Sequence, residues 1–84
     1  MIVEKPHELI RVVADFNGTK VRPLAFTRKT GRQYDIASVN LVYRRRVGDR
    51  QAWCFACSDA ANTYVLSYDP DSLQWILEEV QMEG

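Results

Sequence analysis

The apolar and β-branched residues of this chain come in short runs closed off by turn signals, and that punctuation constrains the fold more than any other feature. Residues 8–16 are rich in Ile and Val and stop at Asn17-Gly18. That pair is the strongest two-residue hairpin signal, because both positions tolerate the positive φ of a type I′ turn. Residues 20–27 follow, with Pro23 marking an edge position or a bulge, since proline cannot donate to a ladder. Arg28-Lys29-Thr30-Gly31-Arg32 reads as a polar hairpin tip. Residues 33–47 exceed the usual strand length of about five or six and are expected to bend or split near 38–40. If this strand is regular, Val39, Leu41 and Tyr43 share one face and Asn40, Val42 and Arg44 the other. Val47-Gly48-Asp49-Arg50 turns the chain into residues 51–57. A loop at 58–62 leads to residues 63–68, which Asp69-Pro70-Asp71-Ser72 closes with turn chemistry.

Residues 73–82 admit two readings. Leu73, Ile76, Leu77 and Val80 fall at helical spacing, whereas a strand puts Leu73, Trp75 and Leu77 on one face with Ile76 and Val80 on the other. The short turn before the run and its Trp and Ile favour a strand. Six antiparallel segments in sequential order then make a meander that must curl to hide its apolar face, giving an all-β barrel or half-barrel. An 84-residue chain has material for one small core, so 1–84 is read as a single domain. Trp53, Trp75, Phe16, Phe55, Tyr64 and Tyr68 are the large side chains expected to fill it.

The net charge is zero but unevenly spread. Between positions 20 and 50, Lys20, Arg22, Arg28, Lys29, Arg32, Arg44, Arg45, Arg46 and Arg50 face only Asp35 and Asp49, a local net of +7 against −7 elsewhere. A surface that keeps this segregation carries a field that selects partners. Arginines on a β surface clamp phosphates and exposed aromatics stack on unpaired bases. Arg28, Lys29, Arg32, Arg44 and Arg46 with Tyr34 and Tyr43 are therefore the candidate residues for single-stranded nucleic acid. Alternation divides the arginine triplet, leaving Arg45 on the face opposite Arg44 and Arg46. A protein partner is nonetheless the leading reading, including a second copy whose acidic last strand meets the basic strands of the first, with single-stranded nucleic acid as the alternative.

No catalytic constellation is visible. His7 is the only histidine, and Gly-rich phosphate loops, G-x-S-x-G and H-E-x-x-H are all missing. Cys54 and Cys57 form one C-x-x-C, but a structural zinc wants four ligands, and only His7 could add to the pair. On a strand, positions three apart point to opposite faces, so both thiols are expected to pack as small apolar groups. The chain is thus expected to be non-enzymatic, without metal, cofactor or small-molecule substrate. No run approaches the roughly 20 apolar residues of a membrane span and no secretory signal is visible, which makes the cytoplasm the expected location.

Several pieces recur in a familiar order: Val21-Arg22-Pro23 with Phe26, Gly31-Arg32 with Tyr34 and Ile36, Val39, Tyr43-Arg44, Tyr64-Val65-Leu66 with Tyr68-Asp69, and Trp75 with Leu77-Glu78. Over residues 9–80 this resembles short bacterial β domains of unknown function, similar to domains near the C-terminus of proteins like inactive Y-family DNA polymerases. The resemblance implies a compact β domain serving protein or DNA contacts in DNA-damage tolerance. It brings no catalytic residues, and Cys54-x-x-Cys57 is not part of the pattern.

Overall fold

The computed structural model describes residues 1–82 as eight antiparallel strands and no helix. They are β1 (Ile2–Glu4), β2 (Glu8–Asn17), β3 (Lys20–Thr27), β4 (Gln33–Asp35), β5 (Ser38–Val47), β6 (Arg50–Ser58), β7 (Asn62–Asp69) and β8 (Gln74–Met82). The sheet runs in the order β4-β3-β2-β8-β7-β6-β5, with β1 pairing the C-terminal part of β8 in line with β2. The expected meander is present, and β2 against β8 joins its start to its end.

The sheet therefore opens between β4 and β5, which are consecutive in sequence yet lie at opposite ends of the strand order. Only Ile36 and Ala37 separate them. Ile36 N–H donates to the Leu24 carbonyl at 2.9 Å and Ala37 N–H donates to the Ser58 carbonyl at 3.0 Å, so two residues tie one end of the sheet to the other. That tie curls the sheet into a half-barrel. The split falls just ahead of the expected 38–40 bend, which is one reason eight strands replace six. The other is β1, for which the sequence carried no signal beyond three residues.

Inside the curl lie Ile10, Phe26, Phe55, Cys57, Tyr64, Leu66, Tyr68, Trp75, Leu77 and Val80, all buried. Each fully buried leucine, such as Leu66 or Leu77, contributes about 2 kcal/mol. Of the aromatic set expected in the core, Phe55, Tyr64, Tyr68 and Trp75 are there, Trp53 is partly buried, and Phe16 is mostly exposed.

Residues 74–82 form a strand, and its helical spacing has a structural cause. Leu66 pairs with Leu77 and Val65 with Glu79, leaving Glu78 as an extra residue in a β-bulge. The bulge returns Val80 to the inner face with Leu77, so the expected alternation fails at Val80. Leu73 lies outside the strand, in the β7–β8 turn at φ 61°. A second bulge leaves Asn40 unpaired between Val39↔Cys57 and Leu41↔Ala56. It turns Val39 inward with Val42, correcting the expectation that Val39 shares a face with Leu41 and Tyr43. A third lies beside Pro23, where Val13 pairs with Ala25 and Ala14 with Pro23.

Candidate functional site

The turns divide between the two ends of the half-barrel. The β2–β3, β5–β6 and β7–β8 turns lie at one end, and the β3–β4 and β6–β7 turns at the other. At the first end the gap between β3 and β5 widens into an apolar cleft of about 780 Å³. Val39 and Val42 of β5, Val21 of β3, and Phe16, Trp53, Phe55 and Tyr68 line it. Two strand edges flank this floor. β3 is paired with β4 only over Ala25 to Thr27, and β5 has no ladder partner on the side away from β6.

The basic residues sort into three groups. Arg28, Arg45 and Arg50 are paired within the fold, with Glu8 at 2.8 Å, Glu78 at 2.9 Å and Asp69 at 3.1 Å respectively. Lys29 and Arg32 sit at the β3–β4 turn, Arg32 over the Tyr34 ring at 5.3 Å. Lys20 and Arg22 edge the cleft on β3, while Arg44 and Arg46 follow Val42 along the inward-facing positions of β5. These last four have no carboxylate within 4.0 Å among the described residues. Arg44 stacks on the floor residue Trp53, its guanidinium 4.9 Å from the ring centroid, and Arg46 Nε–H donates to the Gly48 carbonyl.

The residues singled out from sequence for nucleic acid are thus not brought together. Arg28, Lys29, Arg32 and Tyr34 are at one end of the barrel and Arg44 and Arg46 at the other. Tyr34 stacks on Phe26 with centroids 5.0 Å apart, at the rim of the core. Tyr43 lies on the convex face opposite Cys54, and loss of solvent pushes its phenol up. Lys20 and Arg22 were passed over as site residues because their sequence neighbours carry no motif; they gain meaning only when β5 comes alongside.

The convex face holds a second polar cluster. Burial pushes the Glu78 carboxyl up, but hydrogen bonds from Ser67 and His7 and the charge of Arg45 outweigh it and hold the group below the usual range. Ser67 Oγ–H donates to Glu78 Oε2 at 2.7 Å, and His7 Nδ1 lies 2.6 Å from Oε1. The two cysteines are free, buried and on opposite faces, as alternation required. Burial pushes the Cys57 thiol up to about 12 and raises Cys54 as well, the reverse of an activated nucleophile. Among the described residues no three His, Cys, Asp or Glu side chains gather as metal ligands would, and no helix is long and apolar enough to cross a membrane. In comparison with known proteins, no protein-family model, curated protein or solved structure matches this chain.

Proposed function

We propose that this protein is a non-catalytic binding module that accepts an extended protein segment at the cleft between β3 and β5. One observation carries the reading: the sheet is interrupted where two unpaired strand edges border an apolar floor. An unpaired edge presents a row of N–H and C=O groups that another strand can satisfy, and alternate side chains of that strand would descend onto Val42, Trp53 and Phe55. β5 suits this role, since every residue from Asn40 to Val47 is exposed. A second copy whose acidic last strand meets the basic strands would do so through its β8 side chains, because the β8 backbone is paired on both sides.

A displayed peptide library selected against the immobilised domain tests the reading. The expected binders carry apolar residues at a spacing of two and shift the backbone amide resonances of residues 20–22 and 38–47. Failure to select any binder, or binders whose shifts map to the convex face around Leu9 and Val13, would overturn it.

A further inference from the structure

We propose that the segment accepted by the cleft is acidic, an extended stretch in which Asp or Glu flanks a few apolar side chains; this rests on the strand-accepting reading above. Lys20 and Arg22 line the cleft, Arg44 stacks on its floor residue Trp53 and Arg46 lies two residues further along β5; none of the four has a carboxylate partner among the described residues, and no Asp or Glu lines the cleft. Asp15 is the cross-strand neighbour of Arg22, yet the two form no ion pair. A strand laid against β5 meets Arg44 and Arg46 on its inner side, and one near β3 meets the outward-facing Lys20 and Arg22. Opposite charges directly across a strand pair attract and like charges repel, so both sides of the added strand select for acid. Of the other cations in the basic window, Arg28, Arg45 and Arg50 are held by Glu8, Glu78 and Asp69, and Lys29 and Arg32 lie at the opposite end of the half-barrel.

A polyanionic nucleic acid answers the same charge, but the stacking surfaces it needs are scarce here. Phe16 alone is an exposed aromatic in the cleft; Arg44 covers Trp53, Phe55 and Tyr68 are buried, and Tyr34 and Tyr43 lie away from it. A free strand edge alternates N–H and C=O groups, and a peptide backbone answers both in register, whereas phosphate oxygens accept from the N–H groups and leave the carbonyls without a donor.

Fluorescence anisotropy with three labelled decapeptides tests this. All alternate Val and Tyr with a second residue, which is Asp, Ser or Lys, and a ten-nucleotide oligothymidine serves as the fourth probe. The Asp peptide is expected to bind at least tenfold more tightly than the Ser peptide, and the Lys peptide more weakly than either. Arg22→Glu combined with Arg44→Glu should abolish that preference, with Lys20→Glu plus Arg46→Glu as an independent pair should the first fail to fold. Equal binding of the Asp and Ser peptides overturns the acidic preference and leaves the strand-accepting reading standing. If none of the three peptides binds, that reading itself falls. Tighter binding of oligothymidine than of the Asp peptide overturns the choice of a protein partner.

Discussion

Glu8 opens β2 and, in the sequence, looks like a polar residue at the start of an apolar run. Folded, its side chain is only 6% exposed and accepts hydrogen bonds from Arg28 Nε, Arg28 NH2 and the backbone N–H of Lys29. The carboxylate thereby pins the β3–β4 turn against β2. Hydrogen bonds from Arg28 hold the group below the usual glutamate range, against the opposing effect of burial, and the Lys29 amide assists. A depressed carboxylate contributes stability that is present above its unfolded value near 4.5 and is lost as pH falls through the folded value. Glu8→Gln removes the charge while keeping the shape, and should cost about 2 kcal/mol at pH 7. In a domain of this size that is a fall in melting temperature of roughly 8–16 °C. Thermal unfolding followed by circular dichroism should show the gap narrowing as pH is lowered from 7 through 4.5 and below; a gap that does not depend on pH down to full protonation of the carboxylate would rule out the ion pair as its cause. The pairing was illegible in the sequence because Glu8 and Arg28 lie twenty residues apart, and nothing in either run sets which residues the hairpin brings opposite each other.

Elements were legible where turn chemistry is local and illegible where strands break their own alternation. Gly18 and Gly48 stand at positive φ in two-residue turns, Gly18-Thr19 and Gly48-Asp49, so the first turn sits one residue later than the Asn17-Gly18 pair suggests, with Asn17 still paired to Lys20; β2, β3 and β6 match their expected bounds to within a residue, and β5 ends where expected. Residues 73–82 were ambiguous because the Glu78 bulge places two inward residues, Leu77 and Val80, three apart, which is also a helical spacing. The same arithmetic hid Val39 and Val42 on either side of Asn40. Bulges follow from how a sheet must twist to curl, and a single strand's residues do not record that. The β7–β8 turn holds a further tension: Leu73 sits at φ 61°, its N–H donating to the Asp69 carbonyl at 2.8 Å, while the residue is 71% exposed. A left-handed conformation costs an L-residue roughly 1–2 kcal/mol, and glycine's greater loss of chain entropy offsets about half of the relief. Leu73→Gly is therefore expected to stabilise the domain by about 0.5–1 kcal/mol, a rise of about 4 °C in melting temperature. A fall instead would mean that the Leu73 side chain holds the turn by packing.

At the scale of the whole molecule, the half-barrel sorts what the sequence had mixed. The +7 window is divided by folding into ion pairs, a turn at one end and four cations around the cleft at the other. The charge asymmetry was visible from the order of residues along the chain, though the composition sums to zero. Its distribution was not, because β3 and β5 approach each other only after Ile36 and Ala37 carry the chain from one end of the sheet to the other. The same topology sets a gradient of stability. β7 and β8 are paired on both sides and hold Tyr64, Leu66, Trp75 and Leu77, whereas β5 is paired on one side and exposed along most of its length. Amides on interior strands open only with much of the core, while those at a free edge exchange without any unfolding. Native-state hydrogen exchange should accordingly find the slowest amides in β7 and β8. Along β5 it should find protection alternating with a period of two, since successive amides point toward β6 and toward the cleft. Adding the Asp decapeptide should protect the unprotected half of that series directly, and slow β7 and β8 only by the overall stabilisation that binding confers. Uniform protection along β5 in the free protein at dilute concentration would mean that this edge is already covered, and a cleft with a covered edge could not accept a strand.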